Sequence, residues 1–130
     1  MSYDIMVFEA SAAPRDSAAF QAWYRQQTRW LEDHSYENPA VASPALQRWF
    51  TEIIERFPPM NGPLAPRPLP DDSAVTDHCI GKNVICSGFA SSQGMSGYAA
   101  AKALARKHGL GFYACSEPDG ELLFPESAGW

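Results

Sequence analysis

Between residues 43 and 57, apolar side chains return at helical spacing: Leu46, Trp49, Phe50, Ile53, Ile54 and Phe57. At 3.6 residues per turn these positions form one stripe. Ser43 stands where an N-cap belongs, Pro44 where a missing N–H costs nothing, and Pro58-Pro59 stop the run. A helix so apolar on one side draws its stability from the surface it covers, so the rest of the chain has to supply that surface.

Ile5-Met6-Val7-Phe8 is apolar at both parities, the pattern of a central strand covered on both faces, or on one face plus an assembly contact. Residues 14–31 read as a second helix, with Pro14 in its first turn. Its stripe is Phe20, Trp23, Tyr24, Trp30 and Leu31, and Arg15, Gln21, Arg25 and Arg29 lie opposite. Residues 32–42 form a polar, acidic loop. Residues 58–70 hold six of the eleven prolines and read as a polyproline-like surface loop. Residues 75–90 read as a hairpin. Its turn is either the two-residue Gly81-Lys82 or a three-residue loop over 81–83, and the two registers exchange which side chains face the core. A third helix covers residues 92–108, with a thin stripe of Tyr98, Ala101, Leu104, Ala105 and His108. Arg106 and Lys107 lie in its last turn, and Gly109 is its C-cap. Two short strands follow, residues 110–115 and 121–124, separated by the turn Glu117-Pro118-Asp119-Gly120.

The order is therefore strand, helix, helix, strand, strand, helix, strand, short strand. With the first helix pair counted as one crossover, this is a single α+β domain over residues 1–130. It would be a ferredoxin-like (split βαβ) antiparallel sheet with an extra helix and a C-terminal hairpin. Right-handed crossovers place the helices on one sheet face. The other face then needs a cover or meets water, and part of the Trp-rich helix pair is expected to cover an edge or to dimerise. Trp130 is expected to be either mobile or pinned to a neighbour.

The net charge is −5, which argues against a nucleic-acid partner and suits a basic one. The N-terminal residues lack the basic and apolar regions of a secretory signal, and no stretch reaches the ~18 apolar residues of a membrane span. A cytoplasmic protein is expected. The three cysteines, Cys79, Cys86 and Cys115, read as small half-buried hydrophobes in a reducing compartment; the alternatives are a Cys79–Cys86 pair across the hairpin or one reactive thiol. No catalytic motif, metal set or cofactor signature stands out. His34-x-x-Glu37 has carboxylates too close in sequence to converge on a metal. Glu9, Glu52 and Glu55 read as outer-face charges. Ser87, Ser91 and Ser92 near His78 and Asp77 lack a nucleophile elbow. Gly94-Met95-Ser96-Gly97 lacks phosphate-loop spacing.

Charge, prolines and loop length concentrate in two places, and long loops in compact domains are often functional. The candidate partner-binding residues are Glu32, Asp33, Glu37, Asp71, Asp72 and Asp77, framed by Tyr36 and Met60. The pieces Ser2-Tyr3-Asp4-Ile5-Met6-Val7-Phe8, Ala22-Trp23-Tyr24, Glu32-Asp33-His34-Ser35-Tyr36, Pro58-Pro59-Met60-Asn61-Gly62-Pro63 and Lys107-His108-Gly109-Leu110-Gly111-Phe112 resemble a group of small uncharacterised bacterial proteins. Some of these sit beside secreted polymorphic toxins in the manner of immunity proteins. In that pattern a Trp follows the second hairpin strand; here the segment is Phe89-Ala90-Ser91-Ser92. The resemblance implies a protein that neutralises a partner, a basic toxin domain, by occluding its active site. The alternative is a small ferredoxin-like homodimeric enzyme or ligand-binding module, for which a deep cavity holding His78 or His108 beside a carboxylate would speak. Association with a second copy is compatible with either.

Overall fold

A computed structural model describes residues 2–130. Its centre is β1 (Ser2–Phe8), in a five-stranded sheet ordered β2-β3-β1-β4-β5. The other strands are β2 (Asp77–Ile80), β3 (Val84–Ala90), β4 (Gly111–Tyr113) and β5 (Leu122–Leu123), and every neighbouring pair is antiparallel. Three helices pack on this sheet: α1 (Ser17–Gln27), α2 (Pro44–Ile53) and α3 (Gly94–Lys107). The architecture is α+β.

Alternation along β1 divides the core in two. Ile5 and Val7 face one way and join Trp49, Phe50, Ile53, Phe57, Ile85, Phe89 and Phe112 beneath α2 and α3. Met6 and Phe8 face the other way and join Phe20, Val84 and Phe124 beneath α1. The doubly apolar strand is thus covered on both faces. The two Trp-bearing helices, however, do not form one crossover layer. They lie on opposite sides of the sheet: α2 shares one face with α3, and the α1 stripe covers the other.

Local chemistry fixes the helix ends. α2 begins as its residues direct, with Ser43 Oγ accepting from Leu46 N at 3.4 Å and Pro44 in the first turn. α1 is shorter than the periodicity suggests. Asp16, not Pro14, opens it by accepting from Ala19 N at 2.9 Å, and it ends before Trp30 and Leu31. α3 is preceded by a single 3₁₀ turn, Ser91–Gln93. It closes at Gly109 (φ 67°), where Leu110 N reaches Ala105 O and Gly109 N reaches Arg106 O, the paired bonds of a Schellman cap. At Gly97 the helix touches the sheet so closely that a Cβ would fall 2.5 Å from the Phe89 ring.

The hairpin turns on Lys82-Asn83, with Gly81 N donating to Val84 O at 2.8 Å and Ile80 opposite Ile85. That is one residue beyond the Gly81-Lys82 turn and differs from the three-residue loop. Neither Lys82 nor Asn83 adopts positive φ, so the turn does not use glycine where the sequence offers it. The outer edge of β2 is closed by loops: Ile80 N donates to Tyr36 O, and Thr76 N to Pro58 O. Trp130 is pinned, its indole N–H donating to Phe124 O at 3.0 Å.

Candidate functional site: an acidic groove on the sheet

α1 covers only part of its sheet face. Phe20 and Trp23 pack on Phe8 at the C-terminal end of β1, with ring centroids 5.2 and 5.8 Å away. At the other end of the strand, Ser2 and Asp4 stay exposed. Here the sheet forms the floor of an open groove of about 410 Å³.

Register decides what lines it. Asp4 of β1 stands opposite Gly88 of β3, and Gly88 opposite Asp77 of β2. The two carboxylates therefore share one row, about 10 Å apart at the backbone, two strand spacings. The residue between them has no side chain. A Cβ at Gly88 would fall 2.9 Å from Asp4 Oδ1, so the Asp4 carboxylate leans over the bare glycine. The next row is Met6, Cys86 and Cys79. Cys115, just past β4, also faces the groove, as do Tyr24, Thr28 and Trp30 from α1 and the chain after it, with Met60 and Val75 completing the lining. No Lys, Arg or His is among the lining residues.

Burial pushes the pKa of the Cys79 and Cys115 thiols up to about 11, and that of Cys86 well above the usual range; Asp4 adds to the rise in all three. They stay protonated and are poor nucleophiles at neutral pH. Cys79 and Cys86 face each other across the hairpin as free thiols. The field in the groove is negative, its floor is soft and weakly polar, and Trp30 and Tyr24 add aromatic rings to its lining. Such a surface favours a cation with an apolar stem.

The acidic loop positions Trp30. The loop closes on itself: Glu32 N donates to the Tyr36 hydroxyl at 2.6 Å, and that hydroxyl donates to Glu32 O at 3.2 Å. The Tyr36 ring lies edge-on to Trp30 at 5.1 Å and tilted against His34 at 4.8 Å. Glu32 Oε1 accepts from Lys82 N at 3.1 Å and lies 2.5 Å from His34 Nε2, tying the loop to the hairpin turn. The Ser35 carbonyl, and then the Glu32 carboxylate, hold the His34 pKa above its ordinary value. Within this knot Trp30 adopts φ 53°, a left-handed conformation that costs a bulky residue on the order of 1–2 kcal/mol.

Of the candidates read from the sequence, Asp77 and Met60 line the groove. Glu32 and Tyr36 sit behind it as positioning residues. Glu37 is exposed and meets the proline-rich loop at Gly62 (φ 91°), where a Cβ would fall 2.4 Å from Glu37 O. Asp33, Asp71 and Asp72 are exposed outside the lining, and Asp72 Oδ1 accepts from Ala74 N at 2.9 Å. The sequence reading missed Asp4, Gly88, Tyr24, Trp30 and the three thiols as one surface. They come from β1, β2, β3, α1, the chain after α1 and the chain after β4; the strand register sets Asp4, Gly88, Cys86 and Cys79 on one face, and α1 packing adds the rest.

The histidines are held elsewhere. His78 is buried, with its Nδ1 2.7 Å from Ser87 Oγ and its Nε2 2.9 Å from Phe57 O. Nε2 donates to the carbonyl, so Nδ1 accepts the serine proton and the ring is neutral. This Ser–His contact faces α2, with a carbonyl rather than a carboxylate on its far side. His108 bonds Glu52, which also pairs with Lys107 at 2.6 Å, joining α2 to α3. Among the described residues, no group of His, Cys, Asp and Glu is placed to hold a metal ion, and no helix is long and apolar enough to cross a membrane. Comparison with protein-family models, curated proteins and solved structures finds no match.

Proposed function

We propose that this chain is a protein-binding molecule of the immunity type, which neutralises a basic partner domain by occluding its active site. The groove is the point of engagement, and a lysine or arginine side chain of the partner enters it. One observation carries the reading: Asp4 and Asp77 flank a bare glycine on a sheet face whose lining holds no cation of its own. An incoming guanidinium or ammonium finds opposite charge on two sides and aromatic side chains at Trp30 and Tyr24. The exposed Asp33, Glu37, Asp71 and Asp72 add a negative field that speeds encounter more than it tightens the complex.

We read the sheet as ferredoxin-like, with α2 and α3 as the two crossover helices and α1 as the added element. The strand order and the shared sheet face of α2 and α3 support that reading. The ligand-binding alternative would use the same groove for a small organic cation, which the aromatic side chains favour. His78 is turned to Phe57 O and His108 to Glu52, and neither lines the groove between Asp4 and Asp77.

The test is retention on the immobilised chain, wild type against Asp4→Asn/Asp77→Asn. The reading expects basic proteins of the native cell to be held by the wild type, released by moderate salt and not held by the double variant. Equal retention by the two forms contradicts it.

A further inference from the structure

On the far side of the sheet from the acidic groove, α3 carries an exposed ridge of Met95, Ala99 and Ala103, spaced four residues apart on one helix face. Met95 is 90% exposed, the highest value among the exposed large hydrophobic residues. Beside the ridge run two shallow depressions. One is about 540 Å³, lined by Tyr3, Ser91, Gly94, Met95, Tyr98, Ala99 and Glu117. The other is about 370 Å³ and adds Lys102, Ala103, Arg106 and Trp130. They share Tyr98 and Ala99 and so make one trough along the helix. Its floor is Tyr98, packed edge-on against both Phe112 and Tyr3, with ring centroids 5.3 and 6.3 Å away.

The trough is charged with opposite sign at its two ends. Glu117 closes the end beside the N-terminus of α3. Arg106, which has no ionic partner among the described residues, closes the other, beside Lys102, whose charge is met by Glu121 at 3.0 Å. A surface that is apolar in the middle, negative at one end and positive at the other is complementary to itself after a two-fold rotation. We propose that α3 is a self-association surface whose occupant is the antiparallel α3 of a second copy of this chain. With the two helices crossing at Ala99, Met95 of one copy lies over Ala103 of the other, large against small, and Glu117 of each meets Arg106 of its partner. Antiparallel helices also bring opposite ends of their dipoles together. The acidic grooves stay open on the outside of such a dimer, so this inference is independent of the function proposed above.

Sedimentation of the full chain over a range reaching high micromolar concentrations tests it. The wild type is expected to rise from monomer to dimer mass. Ala99→Arg is expected to weaken dimerisation by roughly tenfold or more. Arg106→Glu is expected to weaken it too, with Arg106→Glu/Glu117→Arg restoring it. Circular dichroism melts establish that each variant is folded, and Met95→Lys replaces any that is not. A wild type that stays monomeric throughout, a dimer indifferent to Ala99→Arg or Met95→Lys, or a charge swap that fails to restore association overturns the proposal.

Discussion

His78 lies edge-on to Trp49 and Phe50 and fastens the end of α2 to β2 through Phe57 O. Burial pushes its pKa down to about 4, with the Phe57 bond a smaller opposing effect. The folded chain keeps the ring neutral, whereas the unfolded chain protonates it below about pH 6.5. Unfolded molecules therefore bind more protons between about pH 6.5 and 4, and stability falls as pH drops through that window. The loss is roughly 3 kcal/mol at 1.36 kcal/mol per pKa unit. His34 acts in the opposite sense: its raised pKa stabilises the fold in acid, an effect lost as pH rises through its folded value. Denaturant titrations of wild type and His78→Gln, which both keep His34, isolate the first effect. The variant is expected to be less stable at pH 7, with the gap narrowing steadily towards pH 4; a gap independent of pH would contradict the assignment. The hairpin pattern already set Ser87 near His78, but not the burial that keeps the ring neutral, because Trp49 and Phe50 arrive from the distant α2.

At the scale of elements, much more was readable. The stripe of α2, the Ser43-Pro44 start, the Gly109 cap and the doubly apolar β1 all follow from local pattern. Trp30 and Leu31 kept helical spacing yet left α1, because the closed loop around Glu32 and Tyr36 holds the backbone away from helix. The hairpin register escaped because Gly81 invited a turn one residue early, while the observed pairing is the one that sets Ile80, His78 and Phe89 towards α2 and α3. The separation of α1 from α2 makes α1 responsible for the second core. Phe20 is fully buried there, against Phe8, Trp23, Tyr113 and Phe124. Phe20→Ala is expected to cost about 3–5 kcal/mol in denaturant unfolding. A cost below about 1 kcal/mol, the scale of an ordinary surface change, would mean that α1 is loosely applied to the sheet.

Across the whole molecule, opposite sides of one sheet carry different work. α2 and α3 bury the larger core, and the outer ridge of α3 stays exposed. α1 buries the smaller core and stops short, leaving Asp4, Gly88 and Asp77 to line an open groove. The acidic composition announced a basic partner in general terms, but it placed the contacts mainly in loops. The groove proposed as the contact is instead centred on the strands, with Glu32 and Tyr36 holding Trp30 at its rim. Entry of a cationic side chain into the groove is read out by an amide nitrogen–proton NMR titration with a short arginine-containing peptide. The account predicts that resonances of Asp4, Gly88 and Asp77 and the Trp30 indole move together in the wild type and stay still in Asp4→Asn/Asp77→Asn. Shifts confined to other surfaces, or identical in the two proteins, would contradict it.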